Sequence, residues 1–423
     1  MDVHNAFLHG DLRDEVYIKL PQGFTHSAPN KVLRLHKALY GLRQAPRCWY
    51  EKPSTALAKA DFVQSYSDYS LFTYTRGRVE IRVLVYVDDL VVCGNDGDAI
   101  RKFKTSLGEC FRKKDLGKLK YFLSIEIARN EEGFMLTQRK YALDIVSETG
   151  LLGSRPEVTP MEQNHHLASD TSYFLQEPAT YRRLVGCLIY LANTRPDLSY
   201  SVHILSQFMQ MPRERHLEAV LRVVKYLKGK AGQGILLSSR IDLELSVYCD
   251  ADWGTCPLSH RSLTAYVALF GGSPISWKTK KQKVVSQSSC EAEYHAMSIA
   301  TREIMWLRHL FKDLGFPPTA PARLFCDSKS ALYIAANPVF HERTKHIEID
   351  CHQVRDVIKS GVLTIAHIGT KEQLANLLTK ALGKVQFNTL MSKLGIWCGW
   401  TVAHARRVSP GCICCLNHLD KVW

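Results

Sequence analysis

No run of about 18 apolar residues occurs in the chain, so no membrane-spanning helix and no membrane partner are expected. The start carries no basic segment leading into an apolar one, and no secretory leader is expected. Acid is the scarcer charge: 41 Asp and Glu stand against 55 Lys and Arg, a formal net charge of +14 over 423 residues. That excess points to a polyanionic partner, nucleic acid first, with a generically basic soluble protein as the alternative. The 13 cysteines form no regular framework. Cys93, Cys187, Cys249 and Cys326 sit in apolar contexts, as buried reduced thiols do, so an intracellular, reducing compartment is expected. The late "CICC" could suggest zinc through Cys412, Cys414, Cys415 and His418, but it lacks the usual pair of cysteines two residues apart. "YLKGKAGQG" is rich in glycine without the pattern of a phosphate-binding loop.

What is present fits a globular chain of two to three domains, 46% hydrophobic. "IRVLVYVDDLVVCG" reads as strand, two-residue turn and strand, with Asp88 and Asp89 as the turn. "DAIRKFKTSLGECF" and "KYALDIVSETGL" read as helices, "YFLSIEIAR" and "GFMLTQ" as strands. Breaker-rich residues near 152–172 mark a boundary or long loop. Residues 178–230 carry three amphipathic helical segments, the first two parted at Pro196. From 241 to 383 strands and helices mix again. "LELSVYCD" alternates, with Asp250 closing the strand on its polar face. Ser288 and Glu291 fit a capping box at the head of a long helix, and "QLANLLTKAL" is a final helix. Residues 384–423 show no periodicity.

Adjacent carboxylates at a hairpin tip repel unless a cation neutralises them. Asp2 stands in a strand-like "MDV", and three carboxylates converging on two metal ions is an arrangement for phosphoryl transfer. Alone, "DD" is as well a solvated turn. Taken in order, however, "MDVHNAFLHGDLRDEVYIKLPQGF", "LHKALYGLRQAPRCWY", "LVYVDDLVV", "DLGKLKYFLSIEI" and "YRRLVGCLIYLANTRPDLSYSV" closely resemble the reverse transcriptase of copia-type LTR retrotransposon polyproteins. The likeness runs to about residue 396. It implies that Asp2, Asp88 and Asp89 hold two Mg²⁺ (or Mn²⁺) ions, with Val3 lending a carbonyl. Phe7 would be the aromatic gate under the sugar of an incoming dNTP, against a plain core phenylalanine. Tyr40 and Gly41 would lie beside the template base and Arg43 near nucleic acid, against a turn and a surface cation. Arg182, Arg183, Lys225 and Lys228 would lie near phosphates of a primer–template or RNA–DNA hybrid, though each alone reads as a solvated charge.

A second set follows. "YCDADW", "SSCEAEYHA" and "LFCDSKSAL" resemble the ribonuclease H domain that follows the polymerase in this family. Asp250, Glu293 and Asp327 would be its ligands for two metal ions, with Asp252 and Glu291 set aside as neighbours. The family's last helix reads "QLAD"; here Asn376 replaces the fourth carboxylate, and a weaker second ion is expected. His367 reads as a product-release residue or a surface histidine. The expected fold is α/β (α+β): a palm over 1–155, a helical thumb and connection over 156–240, a ribonuclease H-like mixed sheet over 241–384 and an atypical tail over 385–423. The family places a fingers segment before "MDV". The reading expects it to be missing or supplied by another chain, by dimer or separate subunit, with Asp2 at a frayed end. Pro53 inside a helix, costing about 3 kcal/mol, and Ser124 in place of the family's glycine are further departures. The function so implied is RNA-directed DNA synthesis with ribonuclease H activity, in cytoplasmic virus-like particles and the nucleus. The competing reading is a degenerate, inactive element fragment that at most binds nucleic acid.

Overall fold

The computed structural model describes residues 1–21, 23, 31–239, 242–337 and 348–398. The "CICC" segment lies outside them. Two compact units result: Met1–Leu119 with Trp306–Pro317, and Lys120–Met305 with the described residues from Pro318 onward.

In the first unit, β1 (Asp2–Val3), β4 (Val63–Gln64), β5 (Leu71–Arg76), β6 (Val79–Tyr86), β7 (Asp89–Gly94) and β8 (Lys113–Lys114) form an antiparallel sheet. Its order is β4-β5-β6-β7-β1-β8. A separate hairpin joins β2 (Tyr17–Lys19) to β3 (Val32–Arg34). Helix α1 (Ala45–Lys59) buries Ala45, Trp49, Pro53 and Leu57, an i, i+4 stripe that packs on the sheet. The helix therefore runs through Pro53, whose ring lies on the buried face. Helix α2 (Gly97–Cys110) is capped by Asp96, whose side chain accepts from the backbone of Asp98 and Ala99. Val3, Trp49, Leu57, Phe72, Val83, Val85, Leu90 and Phe103 share one core. Residues 306–317 join this unit through Trp306 Nε1 on the Ser67 carbonyl (2.9 Å) and Ser65 Oγ on Asp313 (2.5 Å).

In the second unit, β9 (Tyr121–Phe122), β10 (Ile125–Asn130), β11 (Gly133–Thr137), β12 (Gln233–Ser238) and β18 (Ile396–Cys398) make one antiparallel sheet, ordered β18-β12-β11-β10-β9. Gly133 permits the β11–β12 approach: a Cβ there would stand 1.9 Å from the Leu237 carbonyl oxygen. Helices α3 (Arg139–Glu148), α4 (Pro178–Leu191), α5 (Ser199–Ser206) and α6 (Glu214–Gly229) pack beside it. A mixed sheet holds β13 (Leu245–Asp252), β14 (Leu263–Phe270), β15 (Ser273–Lys281), β16 (Ala322–Cys326) and β17 (Leu363–His367), ordered β15-β14-β13-β16-β17. The first three pair antiparallel, and β13, β16 and β17 run parallel. Helices α7 (Ser289–Leu314, counted here up to Met305, its later residues belonging to the first unit), α8 (Lys329–Ala336), α9 (Glu348–Lys359), α10 (Asn376–Thr379) and α11 (Lys384–Lys393) complete the order.

Several expectations change. The compact division falls after Leu119 rather than near 155, because β10 and β11 pair onward to β12 and their helices share one core with the mixed sheet. "QLANLLTKAL" forms a single helical turn, not a full helix. Residues 384–398 are no irregular tail: α11 buries Phe387, Leu390 and Met391, and β18 pairs with β12. Asp250 lies inside β13, fully buried, rather than closing it on a polar face. Cys93 is exposed and Cys187 half-buried, while Cys249 and Cys326 are buried; all four are free thiols. Half of the capping box forms: Ser288 Oγ accepts from Glu291 N, but the Glu291 carboxylate takes the Gln287 backbone N–H instead (2.7 Å). Ser124 lies in the left-handed region (φ 60°), as does Leu123 (φ 47°), and together they turn β9 into β10. A glycine costs least there, which gives the family's residue a physical reason.

Candidate active sites

The first site is set by strand register. Val3 N donates to the Asp88 carbonyl and Leu90 N to the Met1 carbonyl, both at 2.8 Å. Asp2 and Asp89 are thereby directly opposed as a non-hydrogen-bonded pair, the closer kind, with side chains on one face. Strand β1 is held on both sides, by β7 and β8, so Asp2 is not at a frayed edge. The turn consists of Val87 and Asp88; Asp89 is the first residue of β7, paired with Tyr86. The shift arises because Val87 takes the left-handed conformation (φ 50°). That is strained for a β-branched residue, and its carbonyl is gripped by Trp49 Nε1 at 2.6 Å. Burial, then the charges of Asp88 and Asp2, push the Asp89 carboxyl above its ordinary pKa.

Phe7 follows on a 3₁₀ turn (Ala6–His9) entered through Asn5 at φ 52°. Its half-buried ring meets the exposed Tyr40 ring, centroids 4.7 Å apart and tilted by 59°. Gly41, at φ 94°, reverses the chain after Tyr40, and Arg43 is exposed. Two residues singled out separately in the sequence thus form one aromatic pair.

The second site lies at one edge of the mixed sheet. The parallel register sets Tyr248 beside Phe325 and Cys326 beside His367. Carried on, it brings Asp250 level with Asp327 at the carboxyl ends of the strands, where α/β sheets gather polar groups. Ligand atoms of Glu293, Cys326 and Asp327 lie within 4.8 Å of one another, the one such trio among the described residues. Burial first, then Asp250, Cys326 and Asp327, push the Glu293 carboxyl up to about 10. Asp250 turns to other partners: Thr379 Oγ1 donates to Oδ2, and Lys380 Nζ to Oδ1 at 3.3 Å. Asn376, 1% exposed, accepts from Lys380 Nζ at 2.6 Å and donates to the Thr370 carbonyl at 2.8 Å. His367 is exposed at the end of β17.

A family model described as "Reverse transcriptase (RNA-dependent DNA polymerase)" matches residues 1–163. A Saccharomyces cerevisiae protein of transposon Ty5-1 is 35% identical over 308 residues, 72% of this chain and 100% of that protein. The chain belongs to the copia-type retrotransposon reverse transcriptase family. The retrovirus-related Pol polyprotein from Arabidopsis thaliana transposon RE1 is 44% identical over 397 residues, 94% of this chain. This chain spans 27% of the length of that polyprotein. Among solved structures, a foamy viral protease–reverse transcriptase in complex with double-stranded DNA aligns at TM-score 0.46 and 14% identity, covering 87% of this chain and 56% of that one.

Within this family member, most of the cations expected beside phosphates are engaged in its own fold. Arg182 donates to the carbonyls of Met209 (2.7 Å) and Gln210 (3.1 Å), Arg183 pairs with Glu148, and Lys228 caps the Ser154 carbonyl. "NTRPDLSYSV" builds a buried ion pair: Arg195 and Asp197, each 1% exposed, meet at 2.7 Å, and Tyr226 donates to Asp197 at 2.7 Å. Sequence reasoning missed Cys326, Thr379 and Lys380 as partners of the second site. The spacing of Asn376, Thr379 and Lys380 (i, i+3, i+4) was the available signal. Asp252, set aside as a neighbour, has its carboxyl raised to about 6, mainly by burial and against the pull of Lys380.

Proposed function

We propose that the first unit carries an RNA-directed DNA polymerase site built on Asp2, Asp88 and Asp89, and the second a site for cutting the RNA of an RNA–DNA hybrid built on Asp250, Glu293 and Asp327. The observation that carries the polymerase reading is the direct opposition of Asp2 and Asp89 on one face. Like charges so placed are destabilising unless a cation sits between them. The residues fit Mg²⁺, a hard ion that prefers carboxylate oxygen. When bound, such ions lower the pKa of the reacting oxygen and neutralise charge developing on the phosphoryl group. The chain's own part is positional. Val87, fixed by Trp49, aims Asp88; the β1–β7 register aims Asp2 and Asp89; Phe7, backed by Tyr40, gives the flat surface suited to a deoxyribose; Arg43 faces solvent where a phosphate backbone could lie.

In the second unit, Glu293 is the group that must ionise to hold a cation, and Asp327 lies beside it. Asn376 supplies an oxygen without charge, so hybrid cleavage is expected to need more Mg²⁺ than in Asn376→Asp; equal dependence in the two would contradict this. An intracellular setting, where free thiols persist, belongs to the same reading. Two assays on the purified full chain test it: primer extension with dNTPs, and cleavage of an RNA–DNA hybrid. Asp89→Asn is expected to abolish extension and spare hybrid cleavage, and Asp250→Asn the reverse. A chain that binds the hybrid but does neither would leave only the inactive, nucleic-acid-binding reading.

A further inference from the structure

Lys380 is where the second site departs from a simple set of carboxylates. Its Nζ stands 3.3 Å from Asp250 Oδ1 and 2.6 Å from Asn376 Oδ1. Its side chain is 32% exposed and that of Asp250 1%. Thr379, one residue earlier on the same helical turn, donates to the other Asp250 oxygen. Both oxygens of Asp250 therefore already accept hydrogen bonds, one of them from a full positive charge. The Asn376 amide is fixed as well, through Nδ2 to the Thr370 carbonyl, so its oxygen faces the ammonium by construction. The trio whose ligand atoms converge is Glu293, Cys326 and Asp327, without Asp250. The cluster is thus asymmetric: the protein's own ammonium is bonded directly at Asp250 and Asn376 and reaches Asp327 only through space, while the Glu293 and Asp327 carboxylates converge with no cation bonded to them among the described residues.

Resting on the reading of this cluster as a metal site, we propose that the Lys380 ammonium is a built-in cation. It occupies the Asp250–Asn376 edge and confines divalent-cation binding to the Glu293–Asp327 edge. The chain then binds one divalent ion at this site where two carboxylate-held ions are expected. Asn376 and Lys380 act as a matched pair. An amide at 376 accepts from the lysine without adding the negative charge that a second divalent ion would need, and the lysine supplies one positive charge where that ion would have brought two. A divalent ion placed at Asp250 would have to displace the ammonium from both oxygens it bridges.

The test counts Mn²⁺ bound to the full chain, by the electron paramagnetic resonance signal of free Mn²⁺. The first unit is unchanged in every variant, so differences in count report the second site alone. Asn376→Asp/Lys380→Met is expected to bind one more Mn²⁺ than wild type, and Glu293→Gln one fewer. Lys380→Arg, which keeps the charge, is expected to keep the wild-type count. If Glu293→Gln loses an ion but the double variant gains none, the proposal is overturned while the metal-site reading stands. If Glu293→Gln loses none, the metal-site reading fails and the proposal with it. A gain in Lys380→Arg equal to that of the double variant would also overturn it, since the charge would then not matter. Should the double variant fail to melt cooperatively, Lys380→Met alone decides. A rise in Mn²⁺ affinity of about tenfold or more supports the proposal, as expected when a unit charge leaves hydrogen-bond range; unchanged or weaker affinity overturns it.

Discussion

Ser124 is a position where backbone conformation and side chain disagree. With Leu123 it makes the β9–β10 turn at positive φ, the geometry that suits a right-twisted hairpin but disfavours any residue with a Cβ. Among the described residues the serine hydroxyl has no hydrogen-bond partner; the bond that fixes the turn is from Tyr190 to the Leu123 carbonyl. Ser124→Gly is therefore expected to stabilise the chain by about 1 kcal/mol, and Ser124→Val to destabilise it by a similar amount. Urea midpoints of the three proteins check this, and a lower midpoint for Ser124→Gly would refute it. The position shows what was legible residue by residue. The substitution stood out in the sequence, but its meaning lay in a dihedral angle. The strand, turn and strand around Asp88 were legible because strand and turn chemistry is local, although the turn falls one residue earlier than expected. That Asp2 belongs with them came from the family resemblance, since its pairing with Asp89 is long-range. Lys380 was not legible: its partner Asp250 is 130 positions away in sequence, and their meeting depends on the one-turn helix α10 lying against β13.

At the scale of elements, the helices of 178–230 were readable because their apolar residues recur with the helical period, and α4 and α6 follow it. The break at Pro196 was legible too, but not what the break contains. Arg195, Asp197 and Tyr226 form a buried network that ties the α4–α5 junction to α6, and Arg195 Nη1 also reaches the Lys230 carbonyl at 2.9 Å. Burial alone would raise the Asp197 carboxyl, but the Arg195 charge and the bonds from Arg195 and Tyr226 outweigh it and hold it below its ordinary value. The stability it contributes is thus complete above the unfolded pKa and is lost as pH falls through the lower folded one. Asp197→Asn leaves Arg195 buried without its counter-ion and is expected to cost about 3 kcal/mol at neutral pH. The gap between wild type and variant in urea midpoint should hold steady above about pH 5 and narrow below about pH 4. A gap unchanged down to about pH 3 would mean the carboxylate charge contributes nothing. Strand β18 and helix α11 were not legible: β18 has three residues, and its partner β12 lies more than 150 positions earlier, so no local pattern announces the pairing.

For the whole molecule, the net charge of +14 invites the inference that the thumb-like helices grip a polyanion. Charge is a sum, however, and binding depends on which cations remain free to release counterions from the partner. Arg182, Arg183 and Lys228 each hold another part of the second unit, whereas the Lys225 side chain has no hydrogen-bond or ion-pair partner among the described residues. The two classes should separate in the salt dependence of binding to an RNA–DNA hybrid. Lys225→Gln is expected to reduce the slope of log K against log salt by about one, weakening binding alike across sequences. Arg182→Gln is expected to leave the slope near that of wild type while lowering the melting temperature, because it uncaps the carbonyls that follow α5. Fluorescence anisotropy of a labelled hybrid across a salt series, with a thermal melt of each variant, makes the comparison. If both variants flatten the slope equally, the bonds made by Arg182 do not withhold its charge from the nucleic acid, and the face of α4 that carries it must be counted within the binding surface.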